Sequence, residues 1–454
     1  MTDARKKDKE ALASWLLEQS LKWNELLGAD VLYNYSKSHT LSLVNGEPEE
    51  NSSGESEAVC LRVIAKDGRQ GLAHTNNFSR GAMNDIVEWS RANCEAAEPE
   101  EHITLYGGAA ACDDDALEIY DPSVNGITPE TRMKSCADMH EIARSADGRV
   151  VSVRSSSWSD GVSMGFYATT AGLSLWRKSS GVSCGAAVVM SDGDAFEMGG
   201  YGRGEHWLSD IDCAGYARKA VDKTAKMLGG KPLDTGRYTL LIAPDVSADL
   251  MEEIGELFCA SDIHKGRSMM RGKLGQAVAG SAVTLTDDAR LPRRLGSASF
   301  DCEGVPTGRI ALIEAGVASN YLYNLQYAAK DGVKSTGSAS RGFSSLPDVG
   351  TSNLVLSPGT ERFSSLVKGV SNGFLVLELL GTHTIDPVSG DFSLGAKGTR
   401  ISGGELGEPV SGVTISGNLV DFIKKITAVG GDQEVFGSTA ASTLVVEDIT
   451  VAGN

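Results

Sequence analysis

The strongest constraint on how this chain can fold is an order of elements that its first half runs through twice. Residues 9–27 (KEALASWLLEQSLKWNELL) carry apolar positions at helical spacing. Residues 30–45 and 57–75 alternate as paired strands about a polar turn, NGEPEENSSGES, and 79–97 is helical again. After a loop at 98–129, ITPETRMKSCADMHEIARSADG reads as a helix opening on a Thr cap. VVSVRSSSWSDGVSMGFYATTAG and LSLWRKSSGVSCGAAVVMSDG then supply strand pairs, and a helix at about 207–229 closes the second pass. Two helix–strand–strand–helix units, about 1–120 and 121–230, thus make an N-terminal α/β domain spanning 1–230.

From Lys231 the pattern changes. GRYTLLIAPDVSADLMEEIGELF gives a buried strand and then a helix beginning near Ser247. Short apolar stretches broken by Gly, Asp and Pro turns follow, so 231–454 reads as a mainly β domain with a few helices. The fold class is α+β. Many of the 53 glycines fall in this second half, where tight turns and close backbone approach need them more than long helices do.

A net charge of −18 opposes binding to a phosphate backbone or an anionic membrane surface, and no basic patch overrides it. Neither nucleic acid nor membrane is an expected partner. The start, MTDARKKDKEALASWLLEQS, lacks an apolar run of signal-peptide character, and nothing downstream reaches the roughly 20 apolar residues of a membrane span. The expectation is a soluble cytoplasmic protein. Its eight cysteines (60, 94, 112, 136, 184, 213, 259 and 302) form no C-x-x-C pair and read as reduced, mostly buried thiols. No two of the seven histidines share a helix face at i, i+4 spacing.

Two G-x-S-x-G matches, Gly161–Gly165 and Gly181–Gly185, are each followed by β-like sequence, whereas a nucleophile elbow needs strand, turn and helix. Both read as structural. His140–Glu141 begins an H-E-x-x-H motif, but residue 144 is Arg, so the pair belongs to a helix surface. The segment Met251-Glu252-Glu253-Ile254-Gly255-Glu256 carries three carboxylates. By composition it is either an acid/base or metal cluster or, with more weight, the solvated face of an amphipathic helix.

Several stretches resemble the TldD/PmbA family of zinc peptidases. They are 265–316 (KGRSMMRGKLGQAVAGSAVTLTDDARLPRRLGSASFDCEGVPTGRIALIEAG), KSTGSASR (334–341), GVSNGFLVLELLG (369–381), DPVSGDFSLGAKGTRISGGELGEPV (386–410) and the ending ISGNLVDFIKKITAVGGD…LVVEDITVAG. In the first half the likeness rests on element order and VNGEPEE. The resemblance is to the PmbA/TldE type of subunit, which lacks zinc. In a TldD-type subunit, the helix opening this domain carries H-E-x-x-x-H. Counting back from Lys265-Gly266 places that motif on residues 251–256, so Met251 and Glu256 stand where the zinc histidines belong and Glu252 where the general base belongs. The family's third ligand, a cysteine in a C-terminal C-G-x-x-G-Q-like insertion, has no counterpart after Gly430.

Zinc asks for three good protein ligands and an open position for water. A thioether and one carboxylate at positions about 140° apart on a regular helix do not supply them. The resemblance therefore implies no catalytic residue and no metal or other cofactor in this chain, with zinc held by a TldD-type partner in a heteromer that cleaves unfolded peptides, including leader peptides and antitoxins. In isolation the chain would form a homodimer. Candidate substrate-cleft residues are Glu252, Lys265, Arg267, Asp287, Asp288, Glu303, Lys334, Thr336 and Asn353. The rival readings are a stand-alone homo-oligomeric peptide-binding or scaffold protein, and a metal-independent hydrolase using Glu252 with a Ser or Cys nucleophile. The apolar stretches 369–381 and 444–451 are either an exposed interface with the sister subunit or ordinary core strands.

Overall fold

A computed structural model describes residues 3–109 and 113–453. The first repeat consists of helix α1 (Asp3–Ser20), strands β1 (Leu26–Val44), β2 (Glu47–Ala65) and β3 (Gln70–Thr75), and helix α2 (Arg80–Ala96). After a one-turn helix α3 (Asp114–Leu117), the second repeat consists of α4 (Pro129–Ala146), β4 (Val150–Thr169), β5 (Ser174–Asp192), β6 (Ala195–Glu205) and α5 (Cys213–Ala225). Each unit therefore holds three strands, not the two read from sequence. The NGEPEENSSGES segment is not a turn either. The chain reverses at Asn45-Gly46 alone, both left-handed with φ of 50° and 85°, and the following ten residues run on as strand. They are exposed on both faces, so no alternation marked them. Gly68 and Gly193, at φ of 87° and 59°, make the turns that split off β3 and β6.

The six strands form one antiparallel sheet in the order β3-β2-β1-β4-β5-β6, with β1 against β4 joining the repeats. Ala29, Val31 and Tyr33 pack against α1 and α2, while Leu41 and Leu43 pack against α4 and α5. Residues 29 to 41 alternate without a bulge, so all four helices share one face. On the other face, Leu32, Tyr167 and Leu175 meet Phe300 of the second half.

The second half begins with β7 (Gly236–Ile242), α6 (Pro244–Glu256), α7 (Ala260–Lys265), β8 (Leu285–Asp288), β9 (Arg309–Glu314), β10 (Val317–Ala318) and α8 (Leu325–Asp331). Next come β11 (Ala339–Ser340), β12 (Asp348–Val349), β13 (Leu354–Leu356), α9 (Phe363–Lys368), β14 (Asn372–Leu380), β15 (Asp391–Ser402) and β16 (Glu405–Asn418). The chain ends with α10 (Leu419–Lys424), β17 (Ile426–Val429), β18 (Glu434–Phe436), β19 (Thr439–Ala441) and β20 (Leu444–Ala452). Two six-stranded sheets result, β16-β15-β14-β7-β20-β17 and β10-β9-β8-β13-β19-β18. Helix α6 lies between them, touching β14 on one side and β8, β13, β18 and β19 on the other.

This arrangement decides between the two readings of 369–381 and 444–451 in favour of core strands. β14 lies inside its sheet, parallel to β7, and Phe374, Val376 and Leu377 are at most 8% exposed. β20 lies between β7 and β17, with Leu444, Val446 and Val451 fully buried. Strands covered on both faces read as continuous apolar runs, which is the pattern that also suggested an interface. Ser163 and Ser183 of the G-x-S-x-G matches sit inside β4 and β5, with further strand after each, so neither lies on a strand-to-helix turn. Among the described cysteines, 60, 94, 136, 184 and 259 are buried free thiols and 213 and 302 are half-buried; Cys112 lies outside the described residues. No helix among the described residues is long and apolar enough to cross a membrane.

Candidate functional site

Helix α6 starts on Pro244 at its first position, where the missing N–H costs nothing, and Asp245 in its first turn pairs with Lys223 of α5. The apolar spacing of Val246, Leu250, Met251 and Ile254 turns one side into the core. Met251 is 1% exposed among those side chains. Glu252 and Glu256 are exposed instead, and Oε1 of Glu252 accepts a hydrogen bond from Thr439 Oγ1 of β19 at 2.8 Å. The helix stays regular through Glu256, so Met251 and Glu256 diverge and cannot converge on one ion.

A small cavity of about 170 Å³ at the end of α6 brings Glu253, Glu256 and Asp262 together with Arg267, against Met269 and Ile385. Partial desolvation at the cavity wall raises the pKa of the otherwise exposed Glu256, with Asp262 and then Glu252 adding repulsion. Glu253 is raised by burial and then by Glu256. The set holds no imidazole or thiol and includes a cation. Among the described residues no group of three His, Cys, Asp or Glu side chains is placed to hold a metal. Cys259, the nearest thiol in sequence, is buried and its pKa is raised by that burial. The donor set does not fit the family's zinc.

The other candidate residues are spread over the second half. Lys265 reaches Asp348 at 3.0 Å and stays exposed, as does Lys334. Asp287, Asp288 and Asn353 meet where β8 pairs with β13. Asp287 is buried and accepts from the Ser352 amide at 2.6 Å and its hydroxyl at 3.0 Å. Asn353, 1% exposed, donates to the Asp288 carbonyl at 2.8 Å and to Ser297 Oγ at 2.9 Å, and accepts from the Gly296 amide at 2.9 Å. Thr336 Oγ1 accepts from the Tyr323 amide at 2.7 Å. These side chains brace loops. Asp287, Glu303 and Asn353 are turned inward, away from any open cleft.

Glu303 belongs to a buried polar cluster between the two halves that sequence reasoning missed. Asp30 of β1 accepts from Arg62 of β2 at 2.5 Å and from Arg341 of the second half at 2.7 Å. Glu303 faces Arg62 and accepts from the Leu325 amide at 2.8 Å. Burial outweighs the arginine and pushes its carboxyl up to about 7. A signal was present in LRVIA, where a lone Arg interrupts an apolar run and needs a buried partner. A concavity of about 850 Å³ lies elsewhere, on the helix-bearing face of the first sheet between α4 and β1, with Lys37, His39 and Met133 at its wall. Burial and then Arg132 hold the His39 pKa below its usual value.

Three family models cover most of the chain: PmbA/TldA metallopeptidase domain 1 over residues 29–94, the central domain over 122–228 and the C-terminal domain over 235–453. The chain belongs to the PmbA/TldD metallopeptidase family. Curated relatives include a metalloprotease of Methanothermobacter thermautotrophicus, 28% identical over 410 residues and covering 89% of this chain and 88% of the relative. The metalloprotease PmbA of Escherichia coli O157:H7 is 24% identical and covers 99% of this chain and 97% of its own. Among solved structures, a proposed modulator of a DNA gyrase from Thermotoga maritima superposes with a TM-score of 0.89 at 28% identity, over 98% of this chain and all of that one. TldE from Thermococcus kodakarensis shares the fold, with a TM-score of 0.88 at 20% identity over 97% of this chain and all of that one. The PmbA/TldD models thus span both halves, including α6 and the sheets around it.

Proposed function

We propose that this PmbA/TldD family member is the PmbA/TldE-type subunit of a cytoplasmic TldD-type zinc peptidase, acting in assembly and in holding unfolded peptide substrate, while a sister chain with H-E-x-x-x-H supplies the metal. The observation that carries this reading is Met251: at the first ligand position the chain has a thioether sealed in the core. A peptidase that used this helix would need that side chain facing a cleft. Extended substrate has a place to add as a strand, because among the described residues the outer edge of β6 pairs with no strand and its four glycines let another backbone approach closely. Glu252, Lys265, Arg267 and Lys334 are the exposed cleft candidates that remain open to a peptide.

Co-expression with an H-E-x-x-x-H sister tests the proposal. The expected result is a mixed complex that degrades an unfolded peptide, with neither chain active alone. A chain that forms only its own oligomers and binds peptide without a sister would instead establish the stand-alone binding protein.

A further inference from the structure

We propose that Cys184 and Cys213 form a reversible thiol–disulfide pair, a modification site in the second repeat that is closed by hydroperoxides and opened by small thiols. The two sulfurs lie 3.2 Å apart. Cys184 is on β5, 4% exposed, and points into the core under α5. Cys213 is the first residue of α5 and is half-buried, so an oxidant arriving from solvent meets it first. Bond formation needs the sulfurs to close by about 1 Å, to the usual 2.0 Å of a disulfide. A third thiol, Cys136, is fully buried on α4 and lies 3.8 Å from the Leu41 carbonyl.

Exposure and position assign the roles, since Cys213 is the half-buried thiol at the start of α5 and Cys184 is buried beneath it. The hydrogen bond between the two thiols, in which either sulfur can donate, lowers the Cys213 pKa when Cys184 is the donor, and the amide at the helix start adds to this against the opposing burial and Asp212. Cys184 is raised, first by that same bond and then by burial. Cys213 is therefore the attacking thiolate and Cys184 the resolving thiol. In the first step the Cys213 sulfur attacks one peroxide oxygen, forming S–O as O–O breaks, and the departing hydroxide takes a proton to leave as water. In the second step the Cys184 thiol gives up its proton and its sulfur attacks the Cys213 sulfenic sulfur. S–S forms, S–O breaks, and the hydroxyl leaves with that proton as a second water. Two thiols have then given two electrons to one peroxide.

The bridge would pin β5 to the start of α5. That helix also reaches the second half through Lys219 to Glu434 at 2.9 Å and Lys223 to Asp245. Oxidation should therefore stiffen the element that links the repeats to α6.

The test uses the purified full chain, treated with equimolar hydrogen peroxide, blocked with N-ethylmaleimide and cut with trypsin. Cleavage after Lys178, Arg203 and Arg218 leaves the two cysteines in separate peptides. The expected product is a linked pair of those peptides, two hydrogen atoms lighter than their sum and released by dithiothreitol, together with a thermal midpoint raised by several degrees and restored on reduction. Cys213→Ser should abolish the link and leave Cys184 open to maleimide after unfolding. Two results would overturn the proposal: Cys213 oxidised to a sulfinic acid while Cys184 remains a thiol, or Cys213 linked to Cys136 instead.

Discussion

Thr439 donates a hydrogen bond to Glu252 across 2.8 Å, while Met251, one residue earlier on the same helix, is sealed in the core. The carboxylate that the family resemblance sets at the general-base position is thus tied to β19, and the adjacent side chain is packed in the core. Glu252→Gln keeps an oxygen for Thr439 to donate to and removes only a charge that has no metal-bound water to deprotonate. Peptide cleavage by an assembled complex should stay within about threefold of the parent. A collapse of activity with the complex intact would give Glu252 a catalytic part.

The bracing role of Asn353 predicts a stability effect. Three hydrogen bonds tie it to Gly296, Ser297 and Asp288, and Asn353→Ala leaves those buried partners without it. The loss should be about 2 to 4 kcal/mol in chemical denaturation, with binding to a sister chain unchanged under conditions where the variant is folded. Near-parental stability would mean that the bonds are weaker than the geometry implies.

Leu377 separates the two readings of its strand. Because it is 8% exposed inside β14, Leu377→Arg should cost about 4 kcal/mol or more and yield little folded protein. Had the strand been an interface, the same variant would fold alone and fail only in assembly.

Much of this architecture could be read directly from the chain. The doubled unit order and the strand after Lys231 follow from periodicity and turn chemistry. Residues 47–56 could not be recognised as strand because neither face is buried there, so apolar alternation has nothing to report. The interface reading of 369–381 failed because a strand buried by its own sheet and one buried by a partner have the same composition. The proposed site was legible only as a deficit, in Met251 and Glu256 where the family resemblance sets the zinc ligands. The inward turn of Asp287, Glu303 and Asn353 depends on partners tens of residues away, such as Ser352 for Asp287. So does the Asp30–Arg62–Arg341 cluster, with partners up to 311 positions apart.

The buried carboxyls set a pH dependence. Glu303 is pushed up to about 7, and Asp287 and Asp301 to about 6, in each case first by burial. Their folded pKa values exceed the unfolded ones, so the folded state binds more protons between the two. This contribution to stability is fully present below the unfolded carboxyl range and is lost as pH rises through the folded values. Half-exposed His39 works in the opposite sense, because its lowered pKa favours folding as pH rises. With these three carboxyls, together with the raised Glu253 and Glu256, against one imidazole, the thermal midpoint should fall between about pH 5 and about pH 8. Glu303→Gln, which retains an acceptor for the Leu325 amide, should flatten part of that fall in calorimetry at stepped pH. An unchanged slope would show that Glu303 is ionised throughout.

The central claim is that this chain builds no zinc centre of its own, and elemental analysis of the purified chain tests it most directly. After equilibration with excess zinc and gel filtration, the account predicts far less than one zinc per chain, with stoichiometric metal appearing only when an H-E-x-x-x-H sister is present. About one tightly held zinc on the chain alone, removed only by a strong chelator, would contradict it.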